Sequence, residues 1–145
     1  MTCTVHTETT VAILDGSETV LVVDDETFML SLADAMLARH GYTVLTATTG
    51  QQVLHMFQIW PELKIDVAVL DVVMPGMDGF ELAERIRKIR PRLPILYMSA
   101  YPEKAELRPE KTRDVPFVPK PFSSLTLVGK IREMLDEPRA DSTVA

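Results

Sequence analysis

Asp66-Val67-Ala68-Val69-Leu70-Asp71-Val72-Val73-Met74-Pro75-Gly76-Met77-Asp78-Gly79 decides the fold. Its first half is a short apolar run that stops on an aspartate, the pattern of a strand buried on both faces. Pro75 and Gly76 read as turn formers, with Met74 and Met77 flanking the turn as cover for the next helix. Asp78 is placed to cap that helix, in which Phe80, Leu82, Ala83, Ile86 and Ile89 alternate with charged residues.

The same unit recurs on both sides. Upstream, Thr19-Val20-Leu21-Val22-Val23 is a second apolar run ending on aspartates. From Thr27 the positions Phe28, Met29, Leu32, Ala33, Met36 and Leu37 predict a helix that stops at Gly41. Residues 42–46 can form a strand, and residues 51–60, with Val53, Leu54, Met56 and Phe57, a helix ended by Pro61. Downstream, residues 94–99 give a fourth strand, 115–118 a weak fifth, and 123–135 a last amphipathic helix. Such alternation implies parallel pairing through right-handed crossovers, an α/β domain with helices on both sheet faces. Ligands of such sheets bind outside the carboxyl ends of the strands.

Between the fourth and fifth strands, Pro102, Pro109 and Pro116 punctuate a charged stretch in which only Ala105 and Leu107 could anchor an inner face. A helix there should be short or irregular, end near Arg108 and be weakly protected, because Pro109 clashes with the preceding turn. Residues 1–16 read as a flexible tail or linker, 17–137 as the domain and 138–145 as a flexible tail.

The chain has 145 residues, 46% of them hydrophobic, which suits one core. Its net charge of −6 argues against a nucleic-acid surface. Cys3 is the sole cysteine, so no disulfide framework exists, and no apolar run is long enough to span a bilayer. These features fit a cytoplasmic protein that neither inserts in membranes nor binds nucleic acid. His6, His40 and His55 show no ligand spacing.

Reading only the strand ends collects Asp24, Asp25 and Glu26, then Asp71, Ser99 and Lys120. A lone aspartate at a strand end is ordinarily a cap or turn former. Four carboxylates with a hydroxyl and an ammonium are a site. Clustered carboxylates repel one another unless a cation neutralises them, which calls for a hard oxygen-seeking ion, Mg2+ being the natural choice.

Val-Val-Asp-Asp-Glu at 22–26, Leu-Asp-Val-Val-Met-Pro-Gly-Met-Asp-Gly at 70–79, Met-Ser-Ala at 98–100 and Val-Pro-Lys-Pro-Phe at 118–122 resemble, in order, the signature segments of response-regulator receiver (CheY-like) domains. The phrase Gly16 to Glu26 and the stretch 93–101 are especially similar to receivers of hybrid sensor histidine kinases. The resemblance covers about residues 18–135. It implies a (βα)5 doubly wound sheet in the flavodoxin-like order 2-1-3-4-5. It implies Asp71 as phosphoacceptor, Asp24, Asp25 and the backbone carbonyl of Val73 as further Mg2+ ligands, and Lys120 as the partner of the phosphoryl oxygens, aimed by a cis Lys120–Pro121 bond. Ser99 and Phe117 become the switch pair, with Phe117 standing where many members carry Tyr. It also implies a histidine kinase or histidine phosphotransfer domain as partner, and a homodimer through the last helix and strand five. Self-catalysed aspartyl phosphorylation and dephosphorylation would be its chemistry, and no DNA-binding output domain is expected.

Three other readings compete. A haloacid-dehalogenase-type phosphatase needs a second aspartate where Val73 stands. A dinucleotide-binding domain needs a glycine-rich turn where Asp24-Asp25-Glu26 would repel a pyrophosphate. A phosphorylation-independent pseudo-receiver ordinarily lacks an acidic or lysine position that this chain keeps.

Overall fold

A computed structural model describes residues 14–100 and 116–137. Its elements follow one another as β1 (Thr19–Val23), α1 (Thr27–Arg39), β2 (Thr43–Ala47), α2 (Gly50–Ile59), β3 (Val67–Asp71), α3 (Gly79–Ile89), β4 (Ile95–Ser99), β5 (Phe117–Pro119) and α4 (Ser124–Asp136). The five strands are parallel, in the order β2-β1-β3-β4-β5. The expected α/β class and strand order are therefore both present. The expected short helix between β4 and β5 lies outside the described residues.

Side chains alternate across each strand, so the sheet feeds two cores. Val20 and Val22 of β1, with Val67 and Val69 of β3, pack on Leu30, Ala33 and Leu37 of α1 and on Leu127, Val128 and Ile131 of α4. Leu21, Val23, Ala68 and Leu70 face the other way, onto Val53 and Phe57 of α2 and Leu82, Ala83 and Ile86 of α3. Burial on both faces explains why β1 and β3 read as unbroken apolar runs.

Three helices start on side-chain caps. Thr49 accepts from Gln52 N–H, Asp78 from Glu81 N–H and Ser123 from Thr126 N–H. Glu26 before α1 makes no such bond. The phase of α1 differs from the sequence expectation. Leu30, Ala33 and Leu37 form the buried stripe, whereas Phe28 is 76% exposed. At about 100° per residue Phe28 points roughly opposite Leu30, so a helix starting at Thr27 cannot bury both. Ile89, expected on the inner face of α3, is likewise exposed, because it ends the helix beyond Ile86. Strand bounds shift by a residue or two: β3 includes Asp71, and β5 runs from Phe117 to Pro119, with Tyr97 N–H bonding Pro116 O just ahead of it.

Candidate functional site

The parallel strands deliver their carboxyl ends to one edge, where Asp24, Asp71 and Ser99 are the buried polar or charged residues among those described. Asp71 is still in β3, paired with Met98, and Ser99 ends β4, paired with Pro119. Asp24 is fully buried, while Asp25 is exposed, since the chain leaves the sheet between them. The β3–α3 connection closes tightly, with Gly79 N–H bonding Val72 O at 2.9 Å. A Cβ on Gly79 would overlap the Asp71 carbonyl oxygen and come within 2.9 Å of Val72 Cα, so glycine is the residue that lets α3 begin here.

Lys120 follows β5 and precedes a cis bond to Pro121, as expected. Its Nζ lies 2.6 Å from Asp24 Oδ2, 3.4 Å from Asp71 Oδ1 and 3.7 Å from Glu26 Oε1. Asp24 Oδ1 accepts from Glu26 N–H at 2.9 Å. Asp24 Oδ2 receives no aligned hydrogen bond, so charge alone neutralises it. Carboxylate oxygens of Asp24, Asp25 and Asp71 all lie within 4.8 Å of one another. An oxygen-only set with one buried, poorly satisfied carboxylate fits a hard divalent cation. Asp25, Glu26, Asp71, Val73, Ala100 and Lys120 line an open pocket of about 380 Å3 above the cluster.

Burial, and next the negative charge of Asp24, push the Asp71 carboxyl up to about 7 against the pull of Lys120. Burial works to strip the proton from Lys120, but Asp24 and Asp71 outweigh it, so the ammonium is held more firmly than usual.

The family profile "Response regulator receiver domain" matches residues 20–132. This chain belongs to the receiver-domain family. It is 39% identical over 128 residues to sensor kinase CckA of Brucella abortus (strain 2308), covering 86% of this chain and 13% of that protein. The crystal structure of the receiver domain from hybrid histidine kinase CckA superposes with a TM-score of 0.68 at 30% identity, over 81% of this chain and 99% of that one. A CheY-like receiver from Methanospirillum hungatei JF-1 gives a TM-score of 0.71 at 28% identity, over 83% and 95% of the two chains. The receiver spans 13% to 50% of the length of the first curated relatives it matches.

Every strand-end residue picked out of the receiver sequence comes to this edge except Phe117, which starts β5. Phe117 is half-buried against the α2–α3 core and pairs with Tyr97, two residues before Ser99 on the same face of β4. Val73 is 52% exposed and lines the pocket. Sequence reasoning left Glu26 without a role, and only its approach to Lys120 places it in the charge network. Ala100 was also missed, because an alanine after a strand carries no chemical signal. Among the described residues no helix is long and apolar enough to cross a membrane.

Proposed function

We propose that this receiver takes a phosphoryl group from a phosphohistidine onto Asp71, in the cytoplasm, as one step of a two-component relay. The donor would be a histidine kinase or a histidine phosphotransfer domain. The observation that carries the reading is Lys120 Nζ, set 3.4 Å from Asp71 Oδ1 at the floor of an open pocket. Asp71 attacks phosphorus, the histidine N–P bond breaks, and the imidazole leaves. Little covalent assistance is needed, so positioning and neutralisation of the phosphoryl oxygens dominate. Lys120 supplies one positive charge at those oxygens. Asp24, Asp25, Asp71 and the Val73 carbonyl would hold Mg2+, which when bound supplies further neutralisation and favours the ionised Asp71. Ser99 would donate its hydroxyl to the transferred group, and Phe117 would repack against the space that this movement opens. The similarity to sensor kinase CckA supports a place beside a kinase module.

Intact mass after acetyl phosphate treatment tests the reading. One added phosphoryl group that requires Mg2+ and disappears in Asp71→Asn is the expected result. Equal labelling of Asp71→Asn would refute the acceptor. No labelling of the parent chain by acetyl phosphate or a phosphohistidine donor would favour a phosphorylation-independent module. If Ser99→Ala bound a partner with unchanged dependence on phosphorylation, the switch pair would be wrong.

A further inference from the structure

A second concave surface lies at the opposite, amino edge of the sheet. Ile65, Ile89, Arg90, Pro91, Arg92 and Leu93 line a groove of about 490 Å3. Ile65 and Leu93 sit two residues ahead of β3 and β4, whereas Asp71 and Ser99 end those strands. The four β3 residues Val67–Leu70 therefore lie between the groove and the acceptor. At this end of the molecule the large apolar residues Ile59, Trp60 and Ile89 are 64%, 61% and 50% exposed. Exposed apolar residues gathered beside a groove mark contact surfaces.

Arg90 gives the groove a fixed wall. Its guanidinium donates to the carbonyls of Leu63 and Pro61, the latter at 3.0 Å, and sits 4.5 Å from the centroid of the Phe57 ring. α3 is thereby tied to the end of α2 and the turn that follows it. Those partners are two carbonyls and a ring, so the charge of Arg90 faces no carboxylate among the described residues. Lys64 and Lys88, next to groove residues Ile65 and Ile89, also lack an ion pair among the described residues. Of the carboxylates on the α2–β3 connection, Asp66 is engaged by Thr19 N–H at 2.8 Å, which leaves Glu62. From Arg85 to Arg92 the sequence carries five cations and no carboxylate, in a chain whose net charge is −6. Arg85 of that run pairs with Glu81, but the charges of Lys64, Lys88 and Arg90 face no carboxylate among the described residues, and positive charge beside exposed apolar surface on an acidic chain is a local reversal of character.

We propose that this groove is a docking surface for an acidic segment of a partner protein. The segment places an aliphatic or aromatic side chain between Ile89 and Leu93 and its carboxylates against Arg90 and Lys88. Charge complementarity selects the occupant, and concavity suits a protruding side chain better than a bilayer surface. A second copy of the chain would bring the same net negative charge.

Trp60 is the chain's only tryptophan, so its fluorescence reports on this end alone. The probe is a short amidated helical peptide in which glutamates flank a Leu-Leu-Phe core. The expected result is a blue shift of Trp60 emission with amide shifts confined to residues 59–65 and 88–93. Kd should be about 100 μM or tighter and should weaken at high salt. Lys88→Glu combined with Ile89→Asp should weaken binding at least about tenfold. Both positions are exposed, and far-ultraviolet circular dichroism checks that the variant folds. Absence of shifts at about 1 mM peptide, ten times the expected Kd, would overturn the proposal. So would undiminished binding by the double variant, or equal binding of a peptide with lysines in place of glutamates. Perturbation of the same amides by phosphatidylglycerol vesicles but not by the peptide would assign the surface to membranes instead. Self-association abolished by Ile89→Asp, with no peptide effect, would assign it to a second copy.

Discussion

Lys120 and Asp24 form the tightest charged contact of the site, at 2.6 Å with both side chains buried. Removing the ammonium leaves Asp24 and Asp71 facing each other in a desolvated place, and a broken buried pair is costly. Lys120→Met should therefore lose about 3 kcal/mol in metal-free urea melts, and millimolar Mg2+ should return part of it. Asp71 behaves in the opposite way. Its folded-state pKa stands near 7, above the ordinary 3.8, so below pH 3.8 both folded and unfolded chains hold the proton and no penalty exists. Between those values the folded chain binds the proton that the unfolded chain releases, so stability falls as pH rises and the loss is complete above about 7. Asp71→Asn should be more stable than the parent at pH 8 without divalent ions, by about 1–3 kcal/mol, with the gap closing near pH 4. A gap that persists at pH 4, or an Asn variant weaker at pH 8, would contradict the burial argument.

At the scale of elements, the fit of α3 against the end of β3 depends on one missing side chain. A methyl at position 79 meets backbone atoms of Asp71 and Val72 that cannot rotate away. Gly79→Ala should cost about 2 kcal/mol by overpacking, and it should slow acetyl phosphate labelling more than Gly76→Ala, where a Cβ meets nothing within 4 Å and the cost is the left-handed φ of +76° alone. The last helix is fastened differently. Arg132 of α4 reaches Glu18, just ahead of β1, at 2.7 and 3.0 Å, and also bonds Tyr42 and Asp136. This guanidinium holds the Glu18 carboxyl below the usual carboxylate range. The stabilisation is thus present above the ordinary carboxylate pKa and is lost as pH falls through the depressed one. Glu18 remains partly solvated, so the contribution is under about 1 kcal/mol, and Arg132→Met should flatten the pH dependence of stability between pH 5 and 3 by that amount.

For the whole molecule, the sheet sets a gradient of protection. Every residue of β3 is buried, and Ala68, Val69 and Leu70 pair on both sides, whereas β5 has three residues and, among the described residues, pairs with β4 alone. Native-state hydrogen exchange should be slowest in β1 and β3 and markedly faster in β5 and in the outer positions of β2. Equal protection of β5 and β3 would contradict this gradient. The gradient also sets where movement is cheap: Phe117 and Lys120 stand on or beside the least buttressed strand, next to the acceptor edge.

The apolar runs ending on Asp24 and Asp71, the Asp78 cap and the Lys-Pro-Phe segment were legible in the sequence because each is a local pattern. A period of two, a stop or a capping residue acts within a few positions, and strand–helix alternation then fixes parallel pairing and which ends meet. Depth was not legible. Asp24 and Asp25 are neighbours in sequence, yet one is buried and the other exposed, because only packing decides where the chain turns away from the sheet. The outward position of Phe28 was hidden for a similar reason, since the rotational phase of α1 depends on the residue at which it docks. The contacts of Lys120 with Asp24 and Asp71, the elevated proton affinity of Asp71 and the groove behind Arg90 exist only once separate segments share space. Electrostatic and steric terms depend on through-space distance and desolvation, which the order of residues does not contain.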